Sequence, residues 1–420
     1  MRSLLPLLLL VRLLPAQGLD QIANDELARQ HIPGLVLVAV KEDRVIYAKG
    51  FGVTSIETGA PVTGDTLFRL GSTTKMFVAG ATLKLAEQGR LHMDSPVGDY
   101  ISGLNPTVAK LTPHQLLSHT AGLLDETKMY GSHDDDALAK NVASWKDDVF
   151  FTQPGRVYSY SNLGFVLAGR LIEAVKGKPF ADAMEELMFQ PLGMKRSTFR
   201  PTMAMTYPLA TGHTAEGAVV RPAADHAGYW PAGSLFTSGN DFAKFVIAFL
   251  NTKQFAALAK PNVEQPGLGP AHHYGYGLEI DSTRGVQIVQ HGGSRTGYRS
   301  HVMMAPEFKA GVIVLCNKDG AQPAPIAQKA LESLLAVRFV VAPSPSAPGN
   351  AEIGKYTGRY INGPNSVEIA ASEGKLTAKL ANSTHALDPV SANCFKGGQT
   401  TVCFTDGFAH VGGRAYSKQP

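Results

Sequence analysis

Two groups of β-forming segments, far apart in the chain, constrain this sequence more than any other feature. The first, Gly34-Leu35-Val36-Leu37-Val38-Ala39-Val40 and Val45-Ile46-Tyr47-Ala48, is split by the charged turn Lys41-Glu42-Asp43-Arg44 and reads as a hairpin. The second comes after a long intervening region: Val286 to Gln290, Ser300 to Met304 and Gly311 to Cys316, the last two joined by the turn Pro306-Glu307-Phe308-Lys309. Strands this apolar and short need company, so both groups are expected to meet in one antiparallel sheet. Between them the apolar period is helical: Ser72 to Gln88 before Gly89, Gly164 to Val175 before Lys176-Gly177, and Asp241 to Leu250. Helices over Leu19 to Gln30 and Pro325 to Val337 bracket the whole. The expected fold class is therefore α+β, an antiparallel sheet from both chain ends flanked by helices, with an inserted, mostly helical region.

With 420 residues, 44% of them hydrophobic, the chain has room for more than one core. Residues 342–350, Ala342-Pro343-Ser344-Pro345-Ser346-Ala347-Pro348-Gly349-Asn350, read as a Pro/Ser-rich linker between a main domain at 19–341 and a small β-domain at 351–420. Alternations such as Ser366-Val367-Glu368-Ile369-Ala370 point to a small barrel or half-barrel there. Residues 1–18, basic at Arg2 and apolar from Leu4 to Val11, read as a signal peptide. That run is too short for the ~20 residues that span a bilayer, so the mature chain is expected to be exported, periplasmic or secreted, without an integral membrane span. Cys394 and Cys403 suit a disulfide across a hairpin, and Cys316 reads as a buried thiol. Lys and Arg number 39 against 35 Asp and Glu without a basic block, which argues against nucleic acid as a partner.

The chemistry concentrates in three short motifs. In Ser72-Thr73-Thr74-Lys75, at the start of an apolar helix, positions i and i+3 share a face. A serine hydroxyl is a poor nucleophile until a base takes its proton. Lys75 can be that base only when neutral, so its pKa must fall from near 10.4 to about 7, a differential of roughly 4–5 kcal/mol that burial and the helix dipole both favour. Tyr160-Ser161-Asn162 opens a second helix, and His291-Gly292-Gly293-Ser294 follows the strand Val286 to Gln290, where glycines would let a substrate backbone approach. His272-His273 and Ser132-His133-Asp134-Asp135-Asp136 lack a ligand spacing and read as loops; His114 and His119 read as packing residues.

Taken together and in this order, Ser72-x-x-Lys75, Tyr160-x-Asn162 and His291-x-Gly293 resemble the active-site motifs of the serine β-lactamase and penicillin-binding protein superfamily. Leu111-Thr112-Pro113-His114-Gln115-Leu116-Leu117-Ser118-His119-Thr120-Ala121-Gly122-Leu123, Pro191-Leu192-Gly193-Met194 and Tyr274-Gly275-Tyr276-Gly277 are similar to its class C-like branch, which includes D,D-carboxypeptidases, D-aminopeptidases and related esterases. The resemblance implies Ser72 as acylated nucleophile, Lys75 and Tyr160 as proton-transfer groups with the base unassigned between them, and Asn162, His291 and Gly293 as substrate-binding residues. It also implies an oxyanion hole from the backbone N–H groups of Ser72 and Ser294, with no metal or cofactor. Typical β-lactamases carry lysine where this chain has His291, which shifts the expectation toward a peptidase or amidase acting on D-amino-acid-containing peptides. The alternatives are a carboxylesterase, a weak β-lactamase, and a non-catalytic sensor of penicillins or muropeptides. The expected partner is a small-molecule or peptide substrate.

Overall fold

A computed structural model describes residues 14–268, 271–282, 285–339, 353–372, 374–381 and 383–420. Of residues 1–18, read above as a signal peptide, only 14–18 are described, and the stretch read as a linker at 342–350 lies outside the described residues. The main sheet has eight strands. Their spatial order is Arg44–Gly52, Gly34–Lys41, Ala310–Cys316, Tyr298–Ala305, Ile288–Arg295, Glu279–Asp281, His272–Tyr274 and Val263–Glu264, every neighbouring pair antiparallel. Both chain ends thus contribute, as expected, with Leu35 opposite Cys316 and Lys41 opposite Ala310.

The near-continuous apolar run of Gly34–Lys41 explains its central place, since a strand covered on both faces needs apolar residues at every position. Val36, Val38 and Val40 face the helical region and join a core with Phe77, Phe242 and Val246. Leu35, Leu37 and Ala39 face the other way and pack with Leu19, Ile326 and Ala330 of the two terminal helices. All of these residues are buried. Each fully buried aliphatic side chain contributes about 1.5–3 kcal/mol relative to leaving it exposed. The first helix runs from Leu14 to Gln30 rather than starting at Leu19, and the last spans Pro323–Leu335, beginning and ending slightly earlier than the periodicity suggests. No helix among the described residues is long and apolar enough to cross a membrane.

The tail forms a closed barrel of eight strands between Gly358 and Lys418, settling the choice between barrel and half-barrel. Cys394 and Cys403 sit opposite each other on paired strands and are joined by a disulfide, while Cys316 is buried and free. The barrel docks by its last hairpin. Gly413 O accepts from Tyr160 N at 3.0 Å, and Ala415 N donates to Ser159 Oγ at 3.1 Å.

Two segments lie differently from their sequence reading. His272-His273, read as a loop, falls in the strand His272–Tyr274 of the main sheet, because short polar strands near a sheet edge carry no apolar alternation to read. His291-Gly292-Gly293-Ser294 is not the segment after a strand but the heart of one, with His291 opposite Val302 and Gly293 opposite Ser300. Adjacent glycines read as a chain break because they carry no apolar signal, yet here they remain in register.

Candidate active site

Ser72 lies in a single 3₁₀ turn, Gly71–Thr74, that leads straight into the helix Lys75–Glu87. The turn presses against the strand that carries His291. A side chain at Gly71, where φ is +59°, would bring its Cβ within 2.4 Å of Ser294 N, and one at Gly293 would come within 1.8 Å of Leu70 O. The missing side chain at Gly293 therefore admits the turn that carries Ser72 rather than substrate. This contact brings Ser72 and Ser294, the two expected oxyanion donors, together on the cleft.

Lys75 is fully buried beneath Ser72. Its Nζ lies 3.3 Å from Ser72 Oγ and donates to Asn162 Oδ1 and Ala232 O, each at 2.7 Å. It also sits 4.8 Å from the centre of the Tyr160 ring. Burial, aided by the positive charge of Arg414, brings its pKa down to about 7, against the opposing pull of Asp125. Tyr160 moves the other way: burial raises its phenol well above the usual value, and a hydrogen bond with Ser72 only partly offsets this.

The helix Asn162–Lys176 starts where the sequence suggests, with Ser161 as N-cap accepting from Gly164 N at 3.3 Å. Ser161 Oγ donates in turn to Leu124 O at 2.7 Å, and Ser161 N donates to Nδ1 of the buried His119 at 3.1 Å. His119 packs beneath Tyr160 at a ring-centre distance of 4.4 Å, so it is indeed a packing and hydrogen-bonding residue, but one that supports the site directly. His291 is also buried, and both of its ring nitrogens are taken. Nδ1–H donates to Gly292 O at 2.6 Å, and Nε2 accepts from the Tyr274 hydroxyl at 3.0 Å. Burial and the nearby Lys75 push its pKa down to about 3, so the ring is neutral.

Two further residues join the site without any signal in the motifs. Asp125 Oδ1 accepts from Asn162 N at 3.0 Å and from Asn162 Nδ2 at 2.7 Å, which turns the amide oxygen of Asn162 toward Lys75. Its other oxygen accepts from both Nε and Nη2 of Arg414, the Nε contact at 2.7 Å, and Arg414 belongs to the barrel's last hairpin. The guanidinium also lies 5.6 Å from the Tyr160 ring centre. Asp125 lies just beyond the family-like segment that ends at Leu123, and only folding brings Arg414 to it.

Ser72 stands where two cavities meet. One, of about 270 Å³, is lined by Asn162, Tyr229, Ala232, Ser294 and Arg295; the other, of about 590 Å³, by Tyr160, His291, Gly293, Leu268 and Arg414. The arrangement offers a nucleophile, a buried amine that can be neutral, a protonated phenol and two separate binding spaces, which is what stepwise acyl transfer requires.

Residues 19–336 match the protein family described as Beta-lactamase. Penicillin-binding protein 4 of Amycolatopsis lactamdurans is 28% identical over 359 residues, covering 79% of this chain and 93% of that protein. Protein flp of Staphylococcus aureus strain MW2 is 25% identical over 320 residues; the match takes in 72% of this chain and spans only 63% of its relative's length. Among solved structures, the octameric penicillin-binding protein homologue from Pyrococcus abyssi superposes with a TM-score of 0.70 and 26% identity, over 96% of this chain and 99% of its own.

Proposed function

Because the chain belongs to the β-lactamase family, we propose that it is an exported serine hydrolase that forms an acyl-enzyme on Ser72 and acts as a peptidase or amidase on D-amino-acid-containing peptides. The observation that carries this reading is the buried amine of Lys75, 3.3 Å from Ser72 Oγ and poised at about 7. In the proposed cycle neutral Lys75 takes the hydroxyl proton as Ser72 Oγ attacks the substrate carbonyl. The backbone N–H groups of Ser72 and Ser294 meet the oxyanion, a contact typically worth roughly 2.7–4 kcal/mol in the transition state. Tyr160, held protonated by burial, hands its proton to the leaving amine and is reprotonated by Lys75, which carries the proton taken from Ser72. Water then enters, and the same groups run in reverse to release the acid. The electrostatics favour Lys75 over Tyr160 as the first base, since a neutral lysine is available near pH 7 and a phenolate is not.

The state of His291 favours an amide or peptide whose leaving group carries no carboxylate over a β-lactam, which carries one there. A neutral ring with both nitrogens engaged gives a substrate carboxylate none of the fixed charge that lysine supplies at that position. The apolar stretch Leu4–Val11 supports export.

The test is intact-protein mass spectrometry after incubation with benzylpenicillin, alongside turnover of D-alanyl peptides and short-chain esters, with Ser72→Ala as control. A Ser72-dependent adduct that persists, together with release of D-alanine, is the expected result. Rapid drug consumption in place of an adduct would make the chain a β-lactamase. Turnover of esters alone would make it a carboxylesterase, and binding of the drug without turnover of any substrate a sensor.

A further inference from the structure

The smaller cavity is bordered by a positive charge that its surroundings neutralise only in part. Arg295 closes the strand Ile288–Arg295, its side chain is 4% exposed, and it lines this cavity together with Ser72 and Asn162. Behind it lie a second buried arginine, Arg69, and one buried carboxylate, Asp225. Asp225 is already committed: Oδ1 lies 2.5 Å from Arg69 Nη2, and Oδ2 accepts from Trp230 Nε1 at 3.0 Å and lies 3.3 Å from His133 Nε2. Arg295 is left 3.9 Å from that same carboxylate.

The remaining contacts of Arg295 are uncharged. Nη2 donates to Ala224 O at 3.2 Å, Nη1 points to Met129 Sδ at 3.7 Å, and Nε is buried without a partner. The carboxylate that also borders the cavity, Asp319, is occupied by Arg299 Nη1 at 2.6 Å and by Gly297 N at 2.9 Å. Burial and Arg69 pull the pKa of Arg295 down to about 9, which still leaves it charged at neutral pH. Two buried guanidiniums thus share one carboxylate, and a buried charge short of its counter-ion is costly to keep. What the site lacks is an anion, and the opening toward one is the cavity beside Ser72.

This cavity is the acyl side of the cleft. Tyr160, the group placed to protonate a leaving amine, borders the other cavity, whereas Asn162 borders this one. Building on the acyl-enzyme reading above, we propose that Arg295 forms a carboxylate-recognition subsite on the acyl side, so that preferred substrates carry a negatively charged group in the part of the molecule that becomes bound to Ser72. The matching substrate class is peptides or amides whose acyl portion bears a free carboxylate, paired with the guanidinium fork.

The experiment uses the full chain and two series of 4-nitrophenyl esters: straight-chain acyl groups ending in a carboxylate, from glutaryl to suberyl, and neutral acyl groups of the same lengths. At one chain length or more the carboxylated ester should show a kcat/KM about 10- to 100-fold above its neutral counterpart. Arg295→Met should erase that preference while the neutral ester is still hydrolysed, and Arg295→Lys should restore part of it. Ser72-dependent turnover with no carboxylate preference at any length would overturn the subsite alone, and so would a preference that survives Arg295→Met. If Arg295→Met loses both activities through misfolding, the wild-type ratio and its weakening in Arg295→Lys decide the matter. Absence of Ser72-dependent turnover of every ester would sink the hydrolase reading, and the subsite with it.

Discussion

The two cavities that meet at Ser72 are built by different means. The smaller is walled entirely by the main unit, and its charged wall, Arg295, is set by a strand of the central sheet. The larger is finished by another unit of the fold, because Gly412, Gly413 and Arg414 arrive on the barrel's last hairpin. On the proposed reading, selection on the acyl side is set by the main unit alone, and selection on the leaving-group side depends also on the barrel. The Asp125 carboxylate ties the two together, holding Asn162 with one oxygen and Arg414 with the other.

The strongest perturbation of this comparison removes what the two cavities share. Ser72→Ala should cost several orders of magnitude in kcat on every substrate, whatever occupies either side, as read by steady-state hydrolysis and loss of the mass adduct. Lys75→Met should lose about 10³-fold or more in the acylation rate, since no other neutral amine lies near Ser72 Oγ among the described residues.

Next come the partners of the Asp125 ion pair, which should pull the pH profile in opposite directions. Asp125 favours the charged form of Lys75, so Asp125→Asn should let the lysine lose its proton more readily and move the acid limb of kcat/KM from about 7 to lower pH, with a loss in maximal rate of about 10- to 100-fold. Arg414 disfavours the charged form, so Arg414→Ala should move the same limb upward, with a loss of about 10-fold that falls equally on carboxylated and neutral acyl esters. A merely structural role for the ion pair would move both limbs the same way or neither. The comparison sharpens further in the double variant Arg295→Met/Arg414→Ala. Effects confined to separate cavities should add, whereas strong coupling would show that the two walls act as one.

The smallest expected effect on catalysis comes from the barrel's covalent tie. Replacing Cys394 and Cys403 with serine should lower stability by about 2–3 kcal/mol in a urea titration, because the unfolded chain regains the freedom of that loop. The acyl preference governed by Arg295 should be unchanged.

Much of this molecule was readable in one dimension because the relevant physics is local. The continuous apolar run of Gly34–Val40 marks a strand buried on both faces and the helical period after Ser72 marks a buried helix, and together they point to an α+β fold. Ser72 and Lys75 share a face through backbone geometry alone. The same holds for Tyr160 and Asn162, placed on either side of the N-cap Ser161. The glycines at 292 and 293 misled in detail, since close backbone approach can serve a substrate or a neighbouring turn and the sequence records only the missing side chain.

Sequence by itself determined five of the eight strands of the main sheet, its main helices and the three motifs, since each is written over a few residues, whereas the short strands toward one edge, Val263–Glu264, His272–Tyr274 and Glu279–Asp281, carry too little apolar pattern to be read. Tertiary structure alone decided which charges would face each other. Asp125 and Arg414 meet across the interface between main unit and barrel, and Arg69, Asp225 and Arg295 converge from three separate segments. No local pattern encodes such pairs, because the pKa of Lys75 and the partly neutralised charge of Arg295 are set by burial and by Coulomb interactions through space. Those quantities come into being only when the chain has folded.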